Sequence, residues 1–290
     1  MNKFEQERIN KYDILSKKFA QPIPVAYVTP LSITTDTCVF VYSCGLGGTN
    51  SFNLYMNNPI YDNHYFVTYD KMGHGDNKNK PSQYKKKYLY ELDSVVDWAT
   101  QQFPNRKIYL LGESWGCAIN FLYLKKYKNK IAGVINWNMP TTPHSPFKKT
   151  AWQTWQFAWR ELVTIFTNVN LQLPLEQSHY ELLTRNRLLI RAMAMTPQVK
   201  NSTKLTLAVW RFMRPSYKFM IRNARNWKYN FLYVQTGQDA LMTKKHIKKM
   251  EMVADEYHYL KIPTGYHILT MELEESKILY RAVQDFINKK

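Results

Sequence analysis

The five residues from Gly112 to Gly116, with the sequence GESWG, constrain the fold of this chain more than any other segment. They follow an apolar run, 107–111, that predicts a β-strand, and they precede a segment up to Tyr127 that predicts a helix. A serine between glycines at such a turn has a strained backbone that exposes its hydroxyl, and the glycines avoid clashes there. The alternative is an ordinary turn in which Ser114 caps the helix. The segment predicts a nucleophilic Ser114 at the end of a strand.

Short apolar runs alternate with helical patterns along most of the chain, which predicts an α/β fold with a mainly parallel sheet flanked by helices. The runs that predict strands are 24–29, 37–43, 65–69, 107–111, 131–137, 230–235 and 258–262. The segments that predict helices are 88–103, the residues up to 127, 243–255 and 272–288. The alternation stops at 139 and resumes after 226. We therefore predict a core, residues 1–138 and 227–290, interrupted by a helical insertion, residues 139–226.

A glycine-rich segment, 43–48 with the sequence SCGLGG, directly follows a predicted strand. Acyl transfer needs backbone N–H donors where negative charge develops on the substrate oxygen, and glycines let a loop approach that oxygen closely. The predicted donors are the N–H groups of Leu46 and Trp115, and Gly45 is a predicted substrate contact. The alternative is a glycine-rich turn without such a role. The segment lacks the ending of a P-loop and the spacing of a dinucleotide fingerprint.

Two further residues complete a catalytic pattern. Asp239 follows the predicted strand 230–235, where an acid can orient a histidine, although a turn aspartate is the alternative. His267 lies in a loop between the last predicted strand and the last predicted helix, and its pKa near neutrality suits proton transfer. The order serine, aspartate, histidine, each after a strand, predicts Ser114, Asp239 and His267 as nucleophile, acid and base.

With these motifs the chain resembles the α/β-hydrolase family, and within it the branch of monoacylglycerol lipases and lysophospholipases, which is also described as serine aminopeptidase-like. Segment 70–75 (DKMGHG) is similar to the D-x-R-G-H-G turn of that branch, and segment 112–116 is similar to its G-H-S-M-G elbow. Segments 182–186 and 206–208 are similar to the pattern of its helical cap. This chain has Cys44 near the start of the glycine-rich segment and Glu113 in the elbow, at two positions where the branch commonly has histidine.

The resemblance implies a helical cap, or lid, inserted after the sixth strand and covering the active site. Trp152 and Trp155 belong to a run of aromatic residues at helical spacing in this insertion. They are predicted to contact the substrate in an apolar acyl-chain tunnel, and packing of the cap on the core is the alternative. The resemblance further implies a serine esterase that cleaves lipid esters, monoacylglycerol or lysophospholipid, through an acyl-enzyme, without a cofactor or a metal.

Other functions remain open on the same residues. An acyltransferase or an aminopeptidase or amidase would use the same triad, because the fold and the triad do not determine the acceptor. A non-enzymatic homologue that only binds a small ligand or a lipid is the third alternative. The intact serine, aspartate and histidine argue against it.

The net charge of +18 restricts the partners that we expect. The basic residues are spread along the chain, which indicates mainly solvated lysines, and peripheral contact with an anionic membrane is the alternative. Nucleic-acid binding is not expected, because no recognition motif accompanies the charge. The oligomeric state stays open.

The compartment is predicted from four negative observations. The three cysteines have no disulfide-framework spacing, and no Cys/His cluster has metal-ligand spacing. The N-terminal residues contain no apolar signal region, and no stretch of eighteen apolar residues is present. We therefore expect a cytoplasmic protein, with membrane-peripheral binding as the alternative.

Overall fold

The computed structural model describes residues 7–16, 18–50, 60–82, 84–140, 159, 171–172, 180–195, 204–205, 207–223, 229–242, 244–253 and 258–288. The strands are β1 (Ile9–Ile14), β2 (Ile23–Val28), β3 (Val39–Ser43), β4 (Tyr65–Tyr69), β5 (Ile108–Glu113), β6 (Gly133–Trp137), β7 (Leu171–Gln172), β8 (Lys204–Leu205), β9 (Phe231–Thr236) and β10 (Tyr259–Ile262). The α-helices are α1 (Ile60–Asn63), α2 (Lys85–Gln102), α3 (Trp115–Tyr127), α4 (Arg187–Met195), α5 (Leu207–Asn223), α6 (Lys244–Val253) and α7 (Glu275–Asn288). Short 3₁₀ turns cover Lys128–Lys130 and Leu269–Met271.

Eight strands form one sheet in the order β1-β2-β4-β3-β5-β6-β9-β10. The pairs β1–β2 and β2–β4 are antiparallel. The pairs β4–β3, β3–β5, β5–β6, β6–β9 and β9–β10 are parallel. The predicted mainly parallel α/β sheet is confirmed. Because the carboxyl ends of parallel strands meet at one edge, the segments that follow β3, β5, β9 and β10 gather there.

The central strands carry apolar residues towards both faces of the sheet. In β3, Val39 and Val41 belong to one buried cluster, whereas Phe40 and Tyr42 belong to the other, as the alternation of side chains along a strand requires. Helices α2 and α3 contribute to the first cluster and helix α7 contributes to the second. Burial on both faces explains why β3, β5, β6 and β9 are buried at every residue.

The first strand differs from the sequence-based prediction, because β1 is not predicted as a strand. Only its last residue, Ile14, is buried, so the segment has no apolar run. It is a strand because it pairs antiparallel with β2 at the edge of the sheet. The seven predicted strands are present in the large sheet, with ends displaced by at most two residues.

The insertion is described in part. Within 139–226 the structure describes two helices, α4 and α5, as the helical pattern predicts, and a two-residue antiparallel pair, β7 with β8. Strands of two residues leave no periodic signal, which is why the pattern indicates helices alone. The division into a core and a separate insertion stays a prediction. Among the residues described, no helix combines the length and the apolar character needed to cross a membrane.

Candidate active site

Ser114 stands at the sharp turn between β5 and α3. Its backbone has φ 53° and ψ −119°, a region that residues other than glycine rarely occupy. Backbone hydrogen bonds hold the turn: the Ser114 N–H donates to the Trp137 carbonyl at the end of β6 (3.1 Å), and the Cys117 N–H donates to the Ser114 carbonyl (3.2 Å). A Cβ on Gly116 would lie 1.8 Å from the backbone oxygen of Ser43, so only glycine fits there. The sharp strand-to-helix turn that the sequence predicts around Ser114 is present.

The glycine-rich loop 43–48 lies directly against Ser114. A Cβ on Gly45 would be 3.1 Å from the Cβ of Ser114, so the backbone of Gly45 borders the serine. Leu46, a predicted N–H donor, is the next residue, and Gly47 has φ 86°. Trp115, the other predicted donor, begins helix α3 and is buried. The structure therefore brings Gly45, Ser114 and Trp115 to one place.

Asp239 and His267 form a buried pair. The Nδ1 of His267 lies 2.9 Å from Oδ2 of Asp239, and both residues are at least 95% buried. The other carboxylate oxygen, Oδ1, accepts the N–H of Leu241 (2.8 Å). Burial lowers the pKa of His267, but the charge and the hydrogen bond of Asp239 outweigh burial, so that the pKa is raised above its ordinary value. The pair has the geometry of an oriented general base.

Asn138 connects the loops that carry this pair, and the sequence analysis did not select it. Its Nδ2 donates to the backbone carbonyls of Tyr266 (3.0 Å) and His267 (2.8 Å). Its Oδ1 accepts the backbone N–H (2.9 Å) and the hydroxyl (3.0 Å) of Thr236, at the end of β9. Asn138 itself has φ 54°, a conformation that asparagine tolerates. An asparagine directly after a predicted strand was the available signal.

Part of the insertion is joined to the histidine loop. The Ile268 N–H donates to the Leu183 carbonyl (2.8 Å). The Glu272 carboxylate accepts the hydroxyl of Thr184 (2.8 Å) and the backbone N–H (3.0 Å) and Nε (2.9 Å) of Arg185. Segment 180–186 is therefore fixed beside His267, as a cap over the site would require.

Glu113 is a buried carboxyl group next to the nucleophile. Its Oε2 accepts the indole N–H of Trp137 (2.9 Å) and the hydroxyl of Thr270 (3.3 Å). Burial raises the pKa of Glu113, and the hydrogen bond from Trp137 and the charge of His267 offset part of that effect. Glu113 occupies the position at which the resembled branch commonly has a histidine. Its contact with Thr270 links the elbow to the segment after His267.

Lys71 is a second residue that the sequence analysis did not select. Its side chain is fully buried, and its Nζ donates to the carbonyl oxygens of Cys44 (2.8 Å) and Gly45 (3.3 Å). The Nζ also lies 2.6 Å from the Sγ of Cys44, whose thiol donates to the Gly48 carbonyl (3.1 Å). A lysine at the end of a predicted strand is usually read as solvated, so the sequence offered no signal for this contact.

The remaining predicted residues divide into two groups. Trp152 and Trp155 lie outside the described residues. The catalytic roles of Ser114, Asp239 and His267, and the donor roles of Leu46 and Trp115, stay predictions. Within the described part of the chain, no group of three His, Cys, Asp or Glu side chains could hold a metal ion.

Comparisons with known proteins agree with this architecture. Residues 61–274 match the family model described as serine aminopeptidase, S33. A soluble variant of monoglyceride lipase from Saccharomyces cerevisiae, solved with a substrate analog, superposes with a TM-score of 0.72 at 14% identity, covering 97% of this chain and 94% of that chain. The monoacylglycerol lipase of Paleococcus ferrophilus gives a TM-score of 0.67 at 17% identity, covering 91% of this chain and 98% of that chain.

A thermophilic esterase from Thermogutta terrifontis also superposes, with a TM-score of 0.67 at 16% identity, covering 96% of this chain and 100% of that chain. No curated protein sequence matches the chain. At these identities the structural likeness establishes the α/β-hydrolase fold.

Proposed function

The chain belongs to the serine aminopeptidase S33 family, and on that premise we propose that it is a serine hydrolase that cleaves carboxylic esters through Ser114, His267 and Asp239. The observation that carries the proposal is the combination of a strained serine turn with a buried histidine–aspartate pair at the same edge of the sheet. An ordinary turn serine needs neither the left-handed backbone nor a buried, oriented imidazole.

The proposed mechanism follows from the positions of these groups. The Oγ of Ser114 attacks the ester carbonyl carbon while the Nε2 of His267 takes the serine proton. Asp239 accepts the Nδ1–H, which sets the tautomer and stabilises the imidazolium. The oxyanion binds to the N–H groups of Leu46 and Trp115. His267 then protonates the leaving alcohol and activates the water that releases the acid from the acyl-enzyme.

The proposed substrate is a lipid ester, monoacylglycerol or lysophospholipid. Support comes from the names of two similar structures, a monoglyceride lipase and a monoacylglycerol lipase. Further support comes from segment 180–186, which borders the histidine loop and belongs to the insertion proposed as a cap. In this proposal Trp152, Trp155 and Gly45 contact the substrate.

A second candidate function is cleavage of an aminoacyl amide. The specific observation is the description of the matched family as a serine aminopeptidase. The triad chemistry is the same for esters and amides, so the leaving group distinguishes the two candidates. We place the esterase first because two of the similar structures are named as lipases and a third as an esterase.

We also propose that the protein acts in the cytoplasm, and that its charge of +18 allows peripheral contact with an anionic membrane that holds the lipid substrate. Vesicle sedimentation at low and high salt tests this contact. Binding to anionic vesicles that weakens as salt rises supports it, and equal binding to neutral vesicles argues against it.

The first experiment measures hydrolysis of p-nitrophenyl esters over a series of acyl lengths. Ser114→Ala is expected to lower kcat by about 10⁴-fold or more, since the nucleophile is lost. Ser94→Ala is the matched control, because the Ser94 hydroxyl bonds to the Tyr90 carbonyl within α2. Highest kcat/KM on long acyl chains supports a lipid ester. Full activity in folded Ser114→Ala would contradict the assignment, and cleavage of aminoacyl amides alone would favour the second candidate.

A further inference from the structure

We define the oxyanion loop as residues 43–48. The buried side chain of Lys71 forms hydrogen bonds with this loop. A lysine ammonium has three N–H donors, and three acceptors surround its Nζ: the Cys44 carbonyl, the Gly45 carbonyl and the Cys44 sulfur. All three acceptors belong to two consecutive residues of the loop. The side chain therefore acts on the loop as a single anchor.

These bonds constrain the direction of the N–H groups on the loop. In a planar trans peptide the carbonyl oxygen and the N–H of the next residue point in opposite directions. When Lys71 binds the Cys44 carbonyl, the N–H of Gly45 is turned away from Lys71. When it binds the Gly45 carbonyl, the N–H of Leu46 is turned away as well. Both N–H groups thus point to the side of the loop opposite the lysine.

The position of Ser114 gives this orientation a chemical consequence. The backbone of Gly45 borders Ser114, where a Cβ would be 3.1 Å from the serine Cβ. The Nζ of Lys71 also lies 5.7 Å from the centre of the Trp115 ring. Lys71 therefore contacts residues on both sides of the serine, the loop that carries Leu46 and the first residue of α3.

The side chain of Lys71 is fully buried, which requires specific partners for its amine. A buried amine without partners carries a large desolvation cost, so it persists only where acceptors and opposite charges offset it. Burial raises the pKa of the neighbouring Asp70, Glu91 and Glu113 carboxyl groups, that of Glu91 to about 8, and the charge of Lys71 offsets part of this effect. Glu91 is itself fixed by the Met72 N–H (3.1 Å) and the Asn77 amide (2.8 Å).

We propose that Lys71 is a positioning residue that orients the N–H group of Leu46 towards the oxygen of the substrate in the transition state. The proposal rests on the proposed function, because it assigns a role in the same ester hydrolysis. Lys71 acts through the loop and does not touch the reacting atoms. Its contribution is made in the transition state, where the negative charge on oxygen develops, and it leaves substrate binding nearly unchanged.

The test compares Lys71→Met with wild type in the full chain, on a p-nitrophenyl ester that shows Ser114-dependent turnover. Methionine keeps an unbranched chain of similar volume and removes the donors. We expect kcat to fall by about 10- to 100-fold, less than or equal to the loss of one oxyanion donor, while KM changes little. The rate of labelling by a serine-directed phosphonate should fall by a similar factor, because the attack places negative charge on the phosphoryl oxygen.

Lys130→Met is the matched control. Lys130 bonds to Asp93 and Asp97 on α2, and its loss should leave kcat and labelling near the wild-type values. Folding is checked by circular dichroism and thermal unfolding, and kcat is expressed per phosphonate-labelled site. If Lys71→Met does not fold, Lys71→Leu carries the test, because leucine also lacks an N–H donor. A fall in its kcat at constant KM supports the proposal.

Two outcomes overturn the role of Lys71 while wild type is active: unchanged kcat in folded variants, or a rise in KM alone. A wild-type chain without turnover or phosphonate labelling overturns the proposed function together with this role. An active wild type with an unaffected Lys71 variant overturns the role alone.

Discussion

The two loops that border Ser114 are held in different ways. The elbow is fixed by backbone groups, through the positive φ of Ser114 and the close approach of Gly116 to the Ser43 carbonyl at the end of β3. The oxyanion loop is held by side chains, namely Lys71 and the thiol of Cys44. Lys71 is 27 residues from Cys44 in sequence. The glycines and the serine mark the elbow in the sequence, although its contacts come from β3 and β6, whereas the side-chain anchor becomes visible only when the chain is folded.

Each of the two loops also contains one residue at a position where the resembled branch commonly has histidine. Glu113 in the elbow and Cys44 in the oxyanion loop stand where that branch commonly has histidine. In the structure Glu113 bonds to Trp137 and Thr270, and Cys44 bonds to Lys71 and Gly48. Each replacement is therefore part of a contact between its loop and another segment of the chain.

Of the changes in the two loops, Gly116→Ala in the elbow should lower the free energy of unfolding the most. The new Cβ would overlap the Ser43 backbone oxygen at 1.8 Å, and a backbone atom cannot move aside without displacing β3. We expect the free energy of unfolding to fall by more than about 3 kcal/mol, measured by urea denaturation. A variant as stable as wild type would show that the elbow is not fixed by this contact.

Gly48→Ala is the corresponding change in the oxyanion loop and should cost less. Its Cβ would meet the Cys44 side chain, at 2.7 Å from Cβ and 3.0 Å from Sγ. Rotation of the Cys44 side chain moves its Sγ but not its Cβ, so the loop must also shift slightly. The overlap is smaller than at Gly116 and is not with a backbone atom of β3, so we expect the free energy of unfolding to fall by only about 1–2 kcal/mol. The double variant with Cys44→Ala shows how much of the cost comes from the Sγ. A loss equal to that of Gly116→Ala would remove the distinction between the two loops.

The smallest expected effect is a shift of the pH profile in Glu113→Gln. Burial lowers the pKa of His267, whereas Asp239 and, to a lesser degree, Glu113 raise it. Removing the Glu113 carboxylate should therefore lower the pKa of His267. Because the base must be neutral, kcat/KM declines as the pH falls through this pKa, and the decline should move to lower pH by less than about one unit.

The control for this profile is Glu274→Gln, which removes an exposed carboxylate that is paired with Lys277. Its pH profile should coincide with that of wild type. A decline that moves to higher pH in Glu113→Gln would contradict the electrostatic role of Glu113. An unchanged profile would show that Glu113 is uncharged where His267 titrates.

Much of the core was predictable because its strands are buried on both faces. Strands β3, β5, β6 and β9 appear in the sequence as apolar runs between turn signals, and the alternation with helices predicts their parallel arrangement. Strand β1 was not predictable in this way, because five of its six residues are not buried and its pairing with β2 alone defines it.

The residues of the site likewise fall into those that the sequence predicts and those that it does not. The chemical groups and their order can be predicted from the sequence, because a glycine–serine–glycine turn, an acid after a strand and a histidine in a late loop are local signals. The side chains that hold those groups appear only in the folded chain: Asn138 between the acid and histidine loops, Arg185 on Glu272, and Lys71 against the oxyanion loop. The physical reason is that a buried polar side chain is defined by its partners, and those partners come from strands and loops that only the folded sheet brings together.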